Sequence, residues 1–375
     1  MNIGIVCYPT FGGSGVLATE LGKALATRGH QVHFISYNQP ARLDFFTENV
    51  FYHEVSILKY PLFEYAPYET ALAGVIVDVV KTANLDVLHV HYAIPHASAA
   101  LLAKSILSEE GREIPVITTL HGTDITLVGR EATFEPVVSW SINHSDAVTA
   151  VSQSLKNDTL EHFNIKREID VVPNFIDFTR FNKKPKEHFK KAIAPNGEKI
   201  MVHTSNFRKV KRVEDVISVF CLVNQRIPSR LLMIGDGPER SHIEKMSRDM
   251  QCHNSITFLG KQEAVEEILS VCDLFILPSE TESFGLAALE AMACEVPVIS
   301  SNAGGIPEVN MHGVTGYLSN VGDVADMANN AVKVLENEEV LKTFKHNSLN
   351  RAKEFDLDKI MNDYLDIYQR CVNRT

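Results

Sequence analysis

The stretch Pro278-Ser-Glu-Thr-Glu-Ser-Phe-Gly-Leu-Ala-Ala-Leu-Glu-Ala-Met-Ala293 decides the reading of the chain. It follows an apolar run, Leu274-Phe-Ile-Leu277, with the length and composition of a buried parallel strand. The Ala, Leu, Met and Glu content beyond Gly285 is strongly helix-forming, and Ser283 is placed to cap a helix starting near Phe284. The N–H groups of Phe284, Gly285 and Leu286 would then be open to an anion, and Gly285 lets a phosphate approach the backbone. Glu282 falls just before the helix and Glu290 about two turns along it. Taken alone, these residues also fit an ordinary strand–loop–helix with two solvated carboxylates, so their meaning depends on what surrounds them.

Outward from this stretch the chain alternates strands and helices. Ile3–Val6, Val32–Ser36, Asp86–Val90, Val116–Thr119 and Ala147–Ala150 read as strands in the first half, each followed by a helical segment. A second series, Lys199–Thr204, Arg230–Ile234, Ile256–Leu259, Leu274–Leu277 and Val298–Ser300, alternates with helical segments near 212–226, 238–250, 263–271 and 284–294. The rhythm predicts an α/β protein of two doubly wound, Rossmann-like domains facing across a cleft. Residues 1–168 make the first domain, completed by a C-terminal helix at about 356–375, and residues 169–355 make the second. In that terminal helix Ile360, Tyr364, Ile367, Tyr368 and Cys371 share one face, which needs a surface to cover. Asn182–Gly197, basic and polar with two prolines, reads as a surface loop with some helix.

Size and charge narrow the function. At 375 residues the chain is long enough for two cores. A net charge of −11 disfavours nucleic acid and anionic membranes as partners. Apolar runs are too short to span a bilayer, and Met1-Asn-Ile-Gly-Ile-Val6 enters a strand directly, without the features of a signal peptide. A cytoplasmic protein is expected. Cys7, Cys221, Cys252, Cys272, Cys294 and Cys371 are scattered without a CxxC pair, which argues against a zinc site and a disulfide framework. Cys7 at a strand end reads as a small core residue rather than a reactive thiol.

Ligands of doubly wound sheets bind beyond the carboxyl ends of the strands, so the loops there carry the chemistry. Gly13-Ser-Gly15-Val-Leu-Ala18 satisfies G-x-G-x-x-G/A after the first strand, but the second strand ends Ile35-Ser-Tyr-Asn38, without the acid that a nicotinamide dinucleotide requires. The bare N–H groups of Gly12 and Gly13 still suit an anion. His89-Val-His-Tyr92 and His96 suggest a metal, yet His89 and His91 face one side of a covered strand with no acid or thiol beside them; they read as structural. His121-Gly-Thr-Asp124 follows a strand directly and offers a polar ligand an imidazole, a hydroxyl and a carboxylate. Asn206-Phe-Arg208-Lys-Val-Lys211-Arg212 places four cations after the first strand of the second domain, where Arg and Lys can clamp a diphosphate. Gly235-Asp-Gly-Pro-Glu239 and Asn302-Ala-Gly-Gly-Ile-Pro-Glu308 are further Gly-rich turns on that edge.

Together these features resemble the retaining nucleotide-sugar glycosyltransferases of family 4, which have the GT-B fold. The resemblance rests on two Rossmann-like halves, Arg208 and Lys211, Gly235-Asp-Gly-Pro238, and Glu282 and Glu290 with seven residues between them. Cys7-Tyr-Pro-Thr-Phe-Gly-Gly-Ser-Gly15, His89 to His96, Thr119 to Thr126 and Ser205 to Arg212 are similar to members that glycosylate a small hydroxy acid. That resemblance implies UDP-N-acetylglucosamine as donor, L-malate as acceptor and a place at the start of bacillithiol synthesis. No cofactor or metal is implied beyond the donor substrate, and homo-oligomerisation is left open.

The resemblance assigns Glu282, His121, Arg208 and Lys211 to catalysis. Gly13, Asn206, Arg208, Lys211, Gly237, Ser283, Phe284, Gly285, Leu286 and Glu290 would hold the nucleotide sugar. The Arg208–Lys211 spacing is shorter than in many relatives, so Lys209 and Arg212 compete with Lys211 for the lysine's role. For the acceptor the candidates are Gly12, Gly13, Ser14, Tyr92 and Thr123, with Arg42 and Lys59 as cations for its carboxylates. Rival readings are a same-fold transferase with a lipid or polysaccharide acceptor, a Rossmann oxidoreductase, and a non-catalytic sugar-nucleotide sensor.

Overall fold

The computed structural model describes residues 1–10, 12–43, 47–57, 66–184 and 186–374. They form two compact units, Met1–Asn174 with Leu357–Thr375, and Phe175–Asp356. The first unit holds seven strands: β1 (Asn2–Val6), β2 (Gln31–Ser36), β3 (Val50–Glu54), β4 (Val87–His91), β5 (Val116–Leu120), β6 (Ala147–Ala150) and β7 (Ile169–Val171). All are parallel, in the order β3-β2-β1-β4-β5-β6-β7. The first unit runs to Asn174 rather than residue 168 because β7 pairs with β6 through Val148↔Ile169, Thr149↔Asp170 and Ala150↔Val171.

The second unit has six parallel strands: β8 (Lys199–Ser205), β9 (Ser229–Gly235), β10 (Ile256–Gly260), β11 (Leu274–Leu277), β12 (Val298–Ser301) and β13 (Gly316–Ser319). Their order is β10-β9-β8-β11-β12-β13. Each sheet therefore reverses direction once, between β1 and β4 in one unit and between β8 and β11 in the other. At such a switch point the flanking loops diverge and leave a crevice beyond the carboxyl ends of the strands.

The central strands are apolar on both faces because helices cover both, and Ile3, Ile5, Val6, Val87, Leu88 and Val90 are all fully buried. The strands missed in the sequence, β3, β7 and β13, sit at sheet edges and pair on one side only. Half-exposed residues there, such as Tyr52 and His53, hide the apolar signature. One pair of cysteines also departs from expectation. Cys221 and Cys252 form a disulfide with their Cα atoms 6.0 Å apart, since the packing of helices Val213–Asn224 and Arg240–Asp249 brings together residues that no short motif links. Cys7 is wholly buried, and burial pushes its thiol up to about 12, so it serves as a core residue.

The C-terminal helix, Leu357–Val372, docks its apolar face on the first unit, burying Ile360, Met361, Tyr364, Ile367, Tyr368 and Cys371. Each large side chain so buried contributes about 1.5–3 kcal/mol. The docking also has a polar anchor. Tyr368 Oη lies 2.7 Å from His89 Nδ1, while His89 Nε2 lies 2.7 Å from Thr119 Oγ1. His89 is therefore a satisfied core residue that ties the helix to β4 and β5. Tyr368→Phe should leave Nδ1 unpaired in a closed core, at about 1–3 kcal/mol. A thermal melt should show a loss of roughly 2–4 °C per kcal/mol; an unchanged Tm would show that this bond does not anchor the helix.

Candidate active site

The second unit's switch point brings together the loops after β8 and β11. The helix of the second loop spans Leu286–Ala293, and Gly285, at φ 98°, is its N-cap. It begins two residues later than the sequence suggests, and no side chain caps it. Ser283 is not the cap because the left-handed turn at Gly285, a conformation that favours glycine, separates it from the first helical residue. The loop after β12 packs directly beneath. Gly305 N–H donates to the Glu282 carbonyl at 2.8 Å, and a Cβ on Gly304 would stand 2.0 Å from that same oxygen. The Gly-rich run Asn302–Glu308 thus buttresses Glu282 and Ser283, and a larger residue at 304 would displace them. Phe284 is buried edge-to-face against Phe355, their ring centres 5.6 Å apart.

Across the switch point Lys211 Nζ lies 2.6 Å from Glu282 Oε1, and Glu280 N–H donates to the Val210 carbonyl at 2.9 Å. The other cations of the run are disposed differently. Arg212 binds Asp215 at 2.6 Å, Lys209 is exposed, and Arg208 is exposed with no ion-pair partner among the described residues. Lys211 is therefore the lysine that faces Glu282. Asn206 is exposed at the start of the loop, and Gly237 of the Gly235–Pro238 turn packs against its carbonyl. Glu290 is half-buried, one turn along the helix from Leu286. The start of this short helix leaves backbone N–H groups without intrahelical partners. Lys211 and Glu282 stand beside that segment, since Glu282 lies four residues before Leu286.

In the first unit the corresponding loops follow β1 and β4. Gly12 and Gly13 are exposed, and Gly13 is the N-cap of helix Ser14–Thr27. Ser14 Oγ and Tyr92 Oη are 2.6 Å apart, joining the two loops. Only one of the pair spends its hydrogen on the other, so one O–H remains to donate. Tyr92 also packs against Tyr8 and His121, at ring-centre distances of 5.3 and 5.1 Å. Tyr8, which further meets His96 at 4.5 Å, was not singled out in the sequence; its position just past the end of β1 was the available signal. His121 Nε2 lies 2.8 Å from His91 Nδ1, and burial lowers the His121 pKa to about 3, so its ring is neutral.

The other candidates fall as follows. Asp124 is committed to the backbone. It accepts N–H bonds from Ala93 at 2.9 Å and Gly122 at 3.0 Å, tying the loop after β4 to the loop after β5, and burial pushes it up to about 6. Thr123, beside it, is exposed. Arg42 places Nη1 3.7 Å from Glu20 Oε1, so that charge is already partly balanced. Lys59 lies outside the described residues.

Residues 11–180 match the family described as Glycosyltransferase Family 4, and residues 184–351 match Glycosyl transferases group 1. N-acetyl-alpha-D-glucosaminyl L-malate synthase of Bacillus anthracis is 46% identical over 370 residues, which is 98% of this chain and 96% of that protein. The chain belongs to glycosyltransferase family 4. An uncharacterised glycosyltransferase of Methanocaldococcus jannaschii is 26% identical over 97% of this chain and 96% of its own length. Among solved structures, sucrose-phosphate synthase from Thermosynechococcus elongatus aligns over 100% of both chains with a TM-score of 0.82 at 18% identity. Anabaena HepE in complex with UDP-glucose aligns over 99% of this chain and 100% of its own, with a TM-score of 0.81 at 20% identity. These likenesses show the fold, which is GT-B.

As a glycosyltransferase of this family, the chain carries its donor and acceptor candidates on separate units. Among the described residues no group of three or more His, Cys, Asp or Glu is placed to hold a metal ion. No helix of the described residues is long and apolar enough to cross a membrane.

The histidines of the first unit set its response to acid. Burial lowers His89 to about 3, His96 to about 4 and His121 to about 3, against about 6.5 in an unfolded chain. Between those values the unfolded state binds more protons, so stability is full above pH ~6.5 and is lost as pH falls toward 3. Asp124, raised to about 6, and Asp363, also raised by burial, act the other way over part of that window, but His33, lowered to about 4, and His91, lowered well below the ordinary value, add to the three rings already named. Melts recorded from pH 7.5 to 4.5 should show a Tm falling monotonically below pH ~6.5. A flat profile would mean that these rings protonate within the fold.

Proposed function

We propose that this glycosyltransferase moves N-acetylglucosamine from UDP-N-acetylglucosamine to the hydroxyl of L-malate, with retention at the anomeric carbon, as the first step of bacillithiol synthesis. The observation that carries this reading is the 46% identity, over 98% of the chain, to a protein named for that product; the match takes in both units. The site geometry supports it. The bond between the anomeric carbon and the diphosphate breaks, the malate oxygen forms its bond to that carbon, and the malate proton passes to the departing diphosphate on the same face.

Negative charge grows on the diphosphate as that bond breaks. Arg208, Lys211 and the N–H groups at the start of helix Leu286–Ala293 meet it, and of the two cations Lys211 is already held in place, by Glu282. The proposed reaction therefore draws its positive charge from the chain and needs no resident cofactor. Glu282, held by Lys211 at 2.6 Å, orients the sugar, and Glu290 accepts hydrogen bonds from the ribose. In the first unit, neutral His121 is the hydrogen-bonding group we assign to the sugar. The Ser14–Tyr92 pair offers an O–H to a malate carboxylate beside the N–H groups of Gly12 and Gly13. Thr123, exposed three residues beyond β5, and the Arg42 guanidinium complete the acceptor candidates.

UDP release with a panel of hydroxy acids tests the assignment. Arg208→Ala and Lys211→Ala should each lower turnover by about 10²–10³-fold, the usual cost of one preorganised donor. Turnover close to wild type in both would reduce the charge run to a solvated surface. L-Malate should exceed L-lactate by at least about tenfold in kcat/KM, because a donor left facing nothing in a closed site costs about 1–3 kcal/mol. Equal rates with the two acids would place the second carboxylate outside any built site.

A further inference from the structure

β8 carries a titratable side chain, His203, into the interior of the second unit, where the reaction as derived makes no use of it. The ring is wholly buried. Its Nδ1 lies 2.8 Å from the carbonyl oxygen of Ile276 in β11, and its Nε2 lies 2.7 Å from Ser205 Oγ. The N–H of Phe207 in turn points at Ser205 Oγ, at 3.3 Å. These groups admit one arrangement of protons. The Ile276 carbonyl can only accept, so Nδ1 carries the hydrogen. Burial keeps the ring neutral, at a pKa of about 4, so Nε2 is bare. Ser205 must then donate its O–H to Nε2, and its remaining lone pair accepts the Phe207 N–H.

The relay ends where the backbone leaves the sheet. Phe207 has φ 30°, in the left-handed region that a bulky residue enters only under constraint. Each part of Phe207 is constrained. Its side chain is wholly buried, its carbonyl accepts the Glu239 N–H at 3.0 Å, and its own N–H is the one that Ser205 holds. The turn at Gly237 approaches closely, since a Cβ there would stand 2.8 Å from the Phe207 carbonyl oxygen. Arg208 is the next residue. Lys211 follows one turn later, with its N–H on the Arg208 carbonyl at 2.8 Å and its ammonium on Glu282. The direction in which both cations leave the sheet is thus set at Phe207.

We propose that His203 is a positioning residue for the donor site: through Ser205 it fixes Phe207, and so aims Arg208 and Lys211 at the diphosphate. The inference rests on reading those two cations as the diphosphate clamp. Two substitutions separate the halves of the relay. Gln at 203 places an acceptor oxygen near the position of Nε2 and keeps a partner for Ser205. Asn places a donor near the position of Nδ1, keeping Ile276 but abandoning Ser205.

Full-length His203→Gln, His203→Asn and Ser205→Ala variants are compared by UDP titration calorimetry and by separate KM values for UDP-N-acetylglucosamine and L-malate. His203→Asn and Ser205→Ala should weaken UDP and raise the donor KM by about tenfold, with kcat reduced and the malate KM unchanged. His203→Gln should stay within about threefold of wild type. Equal behaviour of the Asn and Gln variants, or wild-type UDP binding by Ser205→Ala, overturns the proposal. Where the Asn variant does not fold, Ser205→Ala decides alone. Wild-type UDP binding by Arg208→Ala and Lys211→Ala is a different failure, which removes the clamp reading itself.

Discussion

The contact between Lys211 and Glu282 joins the two loops that flank the β8/β11 switch point, and the donor site we propose is arranged about it. Neither loop has regular structure long enough to hold a charged side chain by itself. Lys211 lies in a single turn, Lys209–Lys211, and Glu282 in the irregular segment before Gly285. Paired at 2.6 Å and mostly out of water, the two charges keep each other where an unpaired charge would be costly to bury. The backbone bond from Glu280 to Val210 runs alongside and fixes the same two loops through groups that no substitution short of proline at 280 removes. The cation proposed for the diphosphate and the carboxylate proposed for the sugar are thereby kept side by side.

Both switch points follow one building rule with different materials. In the second unit close backbone contacts set the loops, through Gly304 and Gly305 under Glu282 and through Gly237 against Asn206. In the first unit aromatic rings and buried hydroxyls do the same work. Tyr8, Tyr92, His96 and His121 pack against one another, Ser14 bonds Tyr92, and Asp124 ties two loops by their N–H groups. The first arrangement presents backbone and charge, which suits a phosphate. The second presents hydroxyls and a neutral imidazole, which suits groups recognised by hydrogen bonding.

Much of this was legible in the sequence, and the failures have physical causes. Central strands announced themselves as apolar runs because both faces are covered, whereas the edge strands β3, β7 and β13 pair on one side and lack that mark. Arg208, Lys211 and Glu282 could be picked out because they stand in loops directly after apolar strands, and Glu290 because seven residues separate it from Glu282, the spacing on which the family resemblance rests. The helix start was misplaced by two residues, since Ser283 is a good cap by composition and only the backbone shows Gly285 in the left-handed turn. Asp124 resembled a ligand and is a tie between loops. His203 drew no notice because a single histidine in a strand reads as core; its meaning lies in partners contributed by β11 and by the bend after β8.

The return of helix Leu357–Val372 to the first unit has a consequence for how the protein is made. The bond between His89 and Tyr368 spans 279 residues, so a ribosome has made the whole of the second unit before the first sheet gains this helix as cover. Residues 175–356 are contiguous and emerge as a complete unit before that closing helix does. The earlier-synthesised unit is the later one to be completed, and until then its apolar face around β4 and β5 stands open to chaperones or to aggregation.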